Sequence, residues 1–195
     1  MIEATVTDAL VALVDVLEAS NVDYAVGGAI AMGLVGYPRA TADVDVLVAI
    51  PAIRTQCLVD ALAAAGFTSS EGTPLDARRW LDETRTSGLC RVTWRGVRVE
   101  LFVPKVPLQH SVLARRWRGA ITAAKSAWIT TAEDLVLLKM VFNRPKDLID
   151  VQRLLVARHG ELDLAYIEDW ATRTLAPDAR EALGALVATY GAPRR

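Results

Sequence analysis

The sequence predicts an α/β protein, a mixed β-sheet with flanking helices followed by a helical C-terminal region. Three observations carry this. Val44, Val46 and Val48 alternate with Asp43, Asp45 and Leu47, the period-two pattern of a strand. Val6, Leu10, Leu13, Val14 and Leu17 recur at helical spacing. The last third of the chain reads as helical throughout, which places a boundary near residue 128, between an α/β core over 1–128 and a helical region over 129–195.

At 195 residues the chain is long enough for one well-filled core. Its 52% hydrophobic and 23% charged content excludes disorder as the main state. No apolar run reaches the roughly 18 residues that span a bilayer. Met1-Ile2-Glu3-Ala4 lacks the basic head and apolar stretch of a secretory signal. Two cysteines, Cys57 and Cys90, suit neither a disulfide framework nor a zinc site, so a reducing, cytoplasmic setting is expected.

The elements follow in order. Residues 3–19 read as an amphipathic helix ended by Asn21. Val22–Val26 is a short strand that runs into Gly27-Gly28, and a compact helix over 29–34 is broken by Gly36-Tyr37-Pro38. After the strand at 43–48, Pro51 opens a helix that Gly66 stops. Cys57 falls among its apolar residues and is expected in the core. Residues 76–85 form a helix. Arg91–Trp94 and Val97–Val103 flank Arg95-Gly96 as a β-hairpin. Residues 107–118 are expected to be helical and 119–129 extended. Thr130 or Thr131 caps a helix running to Asn143, a second follows from Pro145 to Gly160, and two more cover 163–174 and 178–190.

Charge is uneven along the chain. Residues 1–77 hold 2 basic and 10 acidic side chains, whereas residues 78–125 hold 11 basic and 3 acidic. The middle block also carries Trp80, Trp94 and Trp117, and cations interleaved with aromatics suit a polyanion such as RNA or a nucleoside triphosphate. The alternative is that this block folds against the acidic first third and the charges neutralise each other.

Asp43-Val44-Asp45-Val46 carries the chemistry. Side chains at i and i+2 of a strand share a face, so Asp43 and Asp45 stand side by side while the valines enter the core. Two such carboxylates repel unless a cation sits between them, and hard oxygen ligands select Mg²⁺ or Mn²⁺. In Val97–Val103, Glu100 points away from the face formed by Val97, Val99, Leu101 and Val103. If the two strands are neighbours, Asp43, Asp45 and Glu100 form a three-carboxylate metal cluster. Gly27-Gly28, at a strand end opening a helix, lets backbone N–H groups approach phosphate, or serves only a tight turn. Lys139 interrupts an apolar stretch and is explained by an anionic ligand or by snorkelling to water. Lys146 and Asp150, four residues apart, could pair on a helix, and the spacing of Asp147 and Asp150 puts both on one helix face, where one could partner Arg144 or Arg153. No Walker-type loop is present, and neither His110 nor His159 has ligand-spaced companions.

Tyr24-Ala25-Val26-Gly27-Gly28, a segment containing Gly36, Arg39 and Thr41, and then Asp43-Val44-Asp45-Val46 together resemble the signature of the polymerase-β-type nucleotidyltransferase superfamily. The arrangement around Arg39-Ala40-Thr41-Ala42-Asp43 is most similar to the AbiEii-type toxin nucleotidyltransferases, and Lys139 with the block Asn143-Arg144-Pro145-Lys146-Asp147-Leu148-Ile149-Asp150 is similar to that group's paired motifs, a helix lysine followed by Arg-x-Lys-Asp. The resemblance implies a nucleotidyltransferase-like mixed sheet and transfer of an NMP from an NTP co-substrate to an acceptor hydroxyl. It implies that Gly27 and Gly28 cradle the triphosphate, that Asp43, Asp45 and Glu100 hold Mg²⁺ or Mn²⁺, and that Glu100 activates the acceptor. Lys139 and Lys146 would neutralise phosphates, Asp147 would complete the site, and Arg39 and Thr41, in the loop before Asp43, would contact the nucleotide, with Arg39 orienting the loop or touching phosphate. The implied acceptor is the 3′ end of tRNA or another RNA, and the implied partner a cognate antitoxin protein, with no membrane involved. Two alternatives stand beside this: a nucleotidyltransferase acting on an aminoglycoside or lincosamide, and a non-catalytic binding module or antitoxin of the same fold.

Overall fold

A computed structural model describes residues 4–191; Glu3, the expected first helical residue, and the Met1–Glu3 part of the N-terminal reading lie outside the described residues. The first helix, α1 (Val6–Ala19), begins at Thr5, whose side chain accepts from the Asp8 backbone while the Asp8 side chain accepts in return. It is followed by β1 (Asp23–Val26), α2 (Gly28–Leu34) and β2 (Asp43–Ala49). A single 3₁₀ turn, Ala52–Arg54, leads into α3 (Thr55–Ala64), then β3 (Phe67–Ser69) and α4 (Ala77–Ser87). The hairpin β4 (Leu89–Trp94) and β5 (Val97–Phe102) turns at Arg95 and Gly96, both with positive φ. Next come α5 (Pro107–Arg115), β6 (Trp117–Ala120) and β7 (Ser126–Ile129). Four helices close the chain: α6 (Ala132–Phe142), capped by Thr131, α7 (Pro145–Ala157), α8 (Leu164–Thr174) and α9 (Pro177–Leu186), the last running into a π turn at Val187–Gly191.

The seven strands form one sheet in the order β3-β4-β5-β2-β1-β7-β6. It is mixed, because β2 runs parallel to β5 and β1 parallel to β7 while the other neighbours are antiparallel. The predicted α/β class therefore holds. Val44, Val46 and Val48 of β2 and Val99 and Leu101 of β5 point into the core under α1, where Leu10, Leu13 and Leu17 meet them. The last strand ends at Ile129, and the helices beyond it share this core through Leu135, Leu137 and Leu154.

Three local expectations need correction. The helix expected over 107–118 stops at Arg115, because Arg116 turns extended and the chain becomes the β6–β7 hairpin, its backbone bonds taken by strand pairing from Trp117–Ile129 to Ala120–Ser126. Short β3 was not anticipated; its pairing with β4 is signed by the Phe67 and Trp94 rings, 6.3 Å apart. Cys57 is exposed, since the buried stripe of α3 is Thr55, Leu58, Val59 and Leu62.

Leu101→Ala, at a fully buried point of the sheet centre, is expected to lower unfolding free energy in urea titrations by about 2–5 kcal/mol. Ile53→Ala, at a side chain 89% exposed, should change it by less than about 0.5 kcal/mol. Equal losses would contradict this packing.

Candidate active site

Strand register builds the floor of the site. Residues paired across neighbouring strands point to the same face. Asp43 pairs with Arg98, Asp45 with Glu100 and Leu47 with Phe102 across β2 and β5. Across β5 and β4, Arg98 pairs with Thr93, Glu100 with Arg91 and Phe102 with Leu89. The face opposite the core is thus a grid of three rows: Asp43–Arg98–Thr93, then Asp45–Glu100–Arg91, then Leu47–Phe102–Leu89. The adjacency on which the three-carboxylate arrangement depends is present.

Over this floor lies a cleft of about 470 Å³. Gly27, Gly28, Arg39, Thr41, Asp43, Asp45, Glu100, Lys139, Lys146 and Asp147, all expected in the site from the sequence, line it together. Their individual positions refine the expected roles. The Gly27 N–H donates to the Asp45 carbonyl at 2.8 Å, extending the β1–β2 ladder, so this donor is committed to the sheet and not free for phosphate. Gly28 opens α2 with φ +56°, and a Cβ there would stand 1.9 Å from Asp45 Oδ2. Glycine is required twice over, for the left-handed backbone and for the carboxylate pressed against it.

The carboxylates differ in surroundings. Asp43 is partly desolvated, which raises its pKa, but the Thr41 hydroxyl donates to Oδ1 at 2.7 Å and Arg98 approaches Oδ2 at 3.1 Å, and these hold it below the usual carboxylate value. Thr41 acts here through Asp43. Glu100 pairs with Arg91 Nε at 2.9 Å. Asp45 has neither ion pair nor hydrogen bond to its carboxylate among the described residues; burial, then the charges of Asp43 and Glu100, push it up to about 6.

The opposite wall is cationic. Lys139 Nζ, amid the apolar residues of α6, donates to Asp150 at 2.7 Å and lies 3.6 Å from Asp147. Arg144 reaches Asp147 through Nε at 2.5 Å and Nη2 at 3.2 Å. Burial raises the Asp147 pKa, but Arg144 and Lys139 outweigh it, so the carboxyl is held low. Arg39, from the loop before β2, approaches Asp150 at 3.7 Å. The pairing of Lys146 with Asp150 does not form, because Asp150 turns to Lys139. The sequence pattern does not mark Asp150, Arg91, Arg98 or Arg144 as site residues; the spacing of Asp147 and Asp150 is the one signal for the first, and the Arg-x-Lys-Asp block the one for Arg144. Among the described residues no group of three or more His, Cys, Asp and Glu forms a ready metal cage. Mg²⁺ is commonly held by one or two carboxylates plus substrate phosphates, and the uncompensated Asp45 beside Asp43 fits that donor set.

Much of the basic middle block is paired within the protein, while the exposed Arg78, Arg85, Arg95 and Lys105 take no ion pair among the described residues. Arg98 meets Asp43, Arg116 meets Asp23, Arg118 meets Glu18, and Lys125 meets both Asp15 and Glu18. Arg116 and Arg118 also lie over the Trp128 ring at 4.9 and 5.2 Å. Charge neutralisation across the fold accounts for these cations. Cys90 is buried with its thiol pushed up to about 12, which removes it as a nucleophile.

Two tests follow. Gly28→Ala is expected to destabilise strongly while Asp45 is present and less in an Asp45→Gly background, where the Asp45 carboxylate and Cβ are both gone and only the left-handed backbone cost at Gly28 remains; additive losses by urea denaturation would refute the contact. Asp45 binds its proton more tightly folded than unfolded, so its contribution is present at low pH and lost as pH rises from about 4 to about 6. Asp45→Asn should therefore be more stable than wild type well above pH 6, by about 3 kcal/mol, with the difference vanishing below pH 4.

No protein-family model matches the chain, and no curated protein does. Solved structures do. A solution structure of the antibiotic-resistance factor ANT(2″)-Ia aligns with TM-score 0.54 at 12% identity, over 94% of this chain and 92% of that one. A crystal structure of ANT(2″)-Ia in complex with adenylyl-2″-tobramycin aligns with TM-score 0.50 at 12% identity, over 95% and 98%. An antigenic nucleotidyltransferase-like protein from Paracoccidioides brasiliensis gives 0.48 at 18% identity, over 97% and 94%. At these identities the likeness is one of fold, and the chain has a nucleotidyltransferase-like fold.

Proposed function

We propose that the chain is a nucleotidyltransferase that moves an NMP from an NTP to an acceptor hydroxyl. One observation carries this: the Asp43, Asp45 and Glu100 carboxylates share a floor that faces a wall of Lys139, Arg144 and Lys146 across a single cleft. The cationic wall and Arg39 neutralise the triphosphate and set its α-phosphate over the carboxylate rows. Asp43 and Asp45 would hold Mg²⁺ or Mn²⁺, which when bound supplies Lewis-acid stabilisation of phosphate charge. Thr41 and Arg98 keep Asp43 ionised and oriented. Glu100 receives the acceptor's proton as its oxygen forms a bond to the α-phosphorus. The bond from that phosphorus to the bridging oxygen breaks, and pyrophosphate leaves. Positioning supplies much of the acceleration.

The acceptor divides the finer readings. Likeness to AbiEii-type toxins favours the 3′ end of tRNA, an antitoxin partner and a cytoplasmic setting. The internal pairing of Arg98, Arg116, Arg118 and Lys125 withdraws much of the charge that an RNA surface requires. A small-molecule acceptor has better support, from that pairing and from the likeness to ANT(2″)-Ia over nearly the whole length of both chains. Among the described residues no helix is long and apolar enough to cross a membrane.

Incubation with α-labelled NTPs, Mg²⁺ and separate tRNA and small-molecule acceptors tests this. Label should enter the small-molecule fraction, and Asp45→Ala should lower transfer roughly a hundredfold or more. Equal labelling by wild type and Asp45→Ala would end the proposal. Growth arrest on expression that Asp45→Ala abolishes, with label on tRNA, would restore the toxin reading.

A further inference from the structure

The third row of the floor differs in kind from the other two. Leu47, Phe102 and Leu89 continue the grid beyond Asp45, Glu100 and Arg91, and Ala25 of β1 lies beside Leu47. All four line the cleft, and Leu138 of α6 and Gln109 of α5 flank them. Ala25 and Leu47 are buried in a small core with Val112 and Leu113 of α5, so the row offers the cleft mainly Leu89, Phe102 and Leu138, which are partly open. The Gln109 carbonyl oxygen accepts from the Lys105 and Val106 backbone at 2.7 and 3.3 Å, which fixes the orientation of the amide. Its NH₂ has no partner among the described hydrogen bonds, so the apolar end carries an oriented, unused donor.

Given the reading above, the triphosphate takes the end with Arg39, Lys139, Arg144 and Lys146. The acceptor must bring its hydroxyl to the Asp45–Glu100 row from the other side, over Phe102 and Leu89. A polycation there would need unpaired carboxylates. Asp43 is paired with Arg98, Glu100 with Arg91, and Asp147 with Arg144. Asp45, the remaining one, lies under the proposed metal and nucleotide. The third row has no acidic residue.

We infer that the acceptor is an uncharged, hydroxyl-bearing small molecule with an apolar or planar body that lies on Phe102 and Leu89 beside Leu138 and accepts a hydrogen bond from Gln109. The inference rests on the nucleotidyltransferase reading and narrows its substrate class away from cationic sugars.

The test is calorimetric, on the full chain with Mg²⁺ and α,β-methylene-ATP. Titrants are adenosine, uridine and p-nitrophenyl β-D-glucoside as uncharged probes, tobramycin as the polycation, and bulk tRNA. At least one uncharged probe should bind the nucleotide complex ten times more tightly than tobramycin. Leu89→Asp, at the open edge of the row, and Phe102→Asp should each weaken that probe at least tenfold and shift tobramycin the other way, with the affinity for α,β-methylene-ATP unaltered. Tighter binding of tobramycin or tRNA, or uncharged probes that do not bind, would overturn the inference while leaving nucleotide transfer standing. Failure to bind α,β-methylene-ATP itself would remove the underlying reading and the inference with it.

Discussion

The contact between Asp45 and Gly28 organises the rest of the structure. The Asp45 carboxylate lies where any side chain on Gly28 would have to be, and the Asp45 carbonyl accepts the Gly27 N–H. One residue of β2 therefore sets both the end of β1 and the start of α2. One residue earlier, the Val26 carbonyl accepts the Thr130 N–H, which ties in the chain just before α6. The glycine bend, the carboxylate and the entry to the lysine-bearing helix are held by a few consecutive backbone bonds. Such a junction leaves little freedom for a one-residue shift, because every shift puts a Cβ against the carboxylate or breaks the ladder.

The cations are held by a different device. Asp147 and Asp150 sit one turn apart on α7, both buried, and between them engage Lys139 from α6, Arg144 from the α6–α7 junction and Arg39 from the loop before β2. A buried lysine without a partner would lose its charge to desolvation. Asp150 and Asp147 supply ion-pair partners to the Lys139 ammonium in its apolar setting, where it still borders the cleft. The buried acids thus make it possible to hold positive charge rigidly, at a place where flexible surface lysines would have to be ordered by the ligand itself.

Much of this was legible in the sequence, for reasons that differ by residue. The period-two pattern of 43–48 placed Asp43 and Asp45 on one face because valine alternation leaves no other choice in a strand. Thr131 and the Arg95-Gly96 turn declared their roles through local backbone chemistry. What escaped depends on contacts remote in sequence. Asp150 reads as a surface acid until α6 is laid beside α7. Arg116, Arg118 and Lys125 read as a nucleic-acid patch until β6 and β7 bring them to Glu18, Asp15 and Asp23, about a hundred residues away. Gly27 and Thr41 show the same limit at short range. The resemblance assigns them to the ligand, whereas the structure binds the first to the Asp45 carbonyl and the second to the Asp43 carboxylate.

The parallel pairing of β2 with β5 explains why carboxylates and apolar side chains form separate rows on one face. Each strand offers its open face two charged positions and then an apolar one: Asp43, Asp45, Leu47 on β2 and Arg98, Glu100, Phe102 on β5. Because the strands run in the same direction, like meets like at each step. Antiparallel pairing of the same two strands would set Asp43 opposite Phe102 and Leu47 opposite Arg98, and scatter charge among apolar side chains. The antiparallel neighbour β4 continues the rows only because its order is reversed, with Leu89 first and Arg91 and Thr93 after it. Strand direction, and not composition alone, therefore separates a charged floor that suits phosphate chemistry from an apolar floor beside it, and places their border at Asp45 and Glu100.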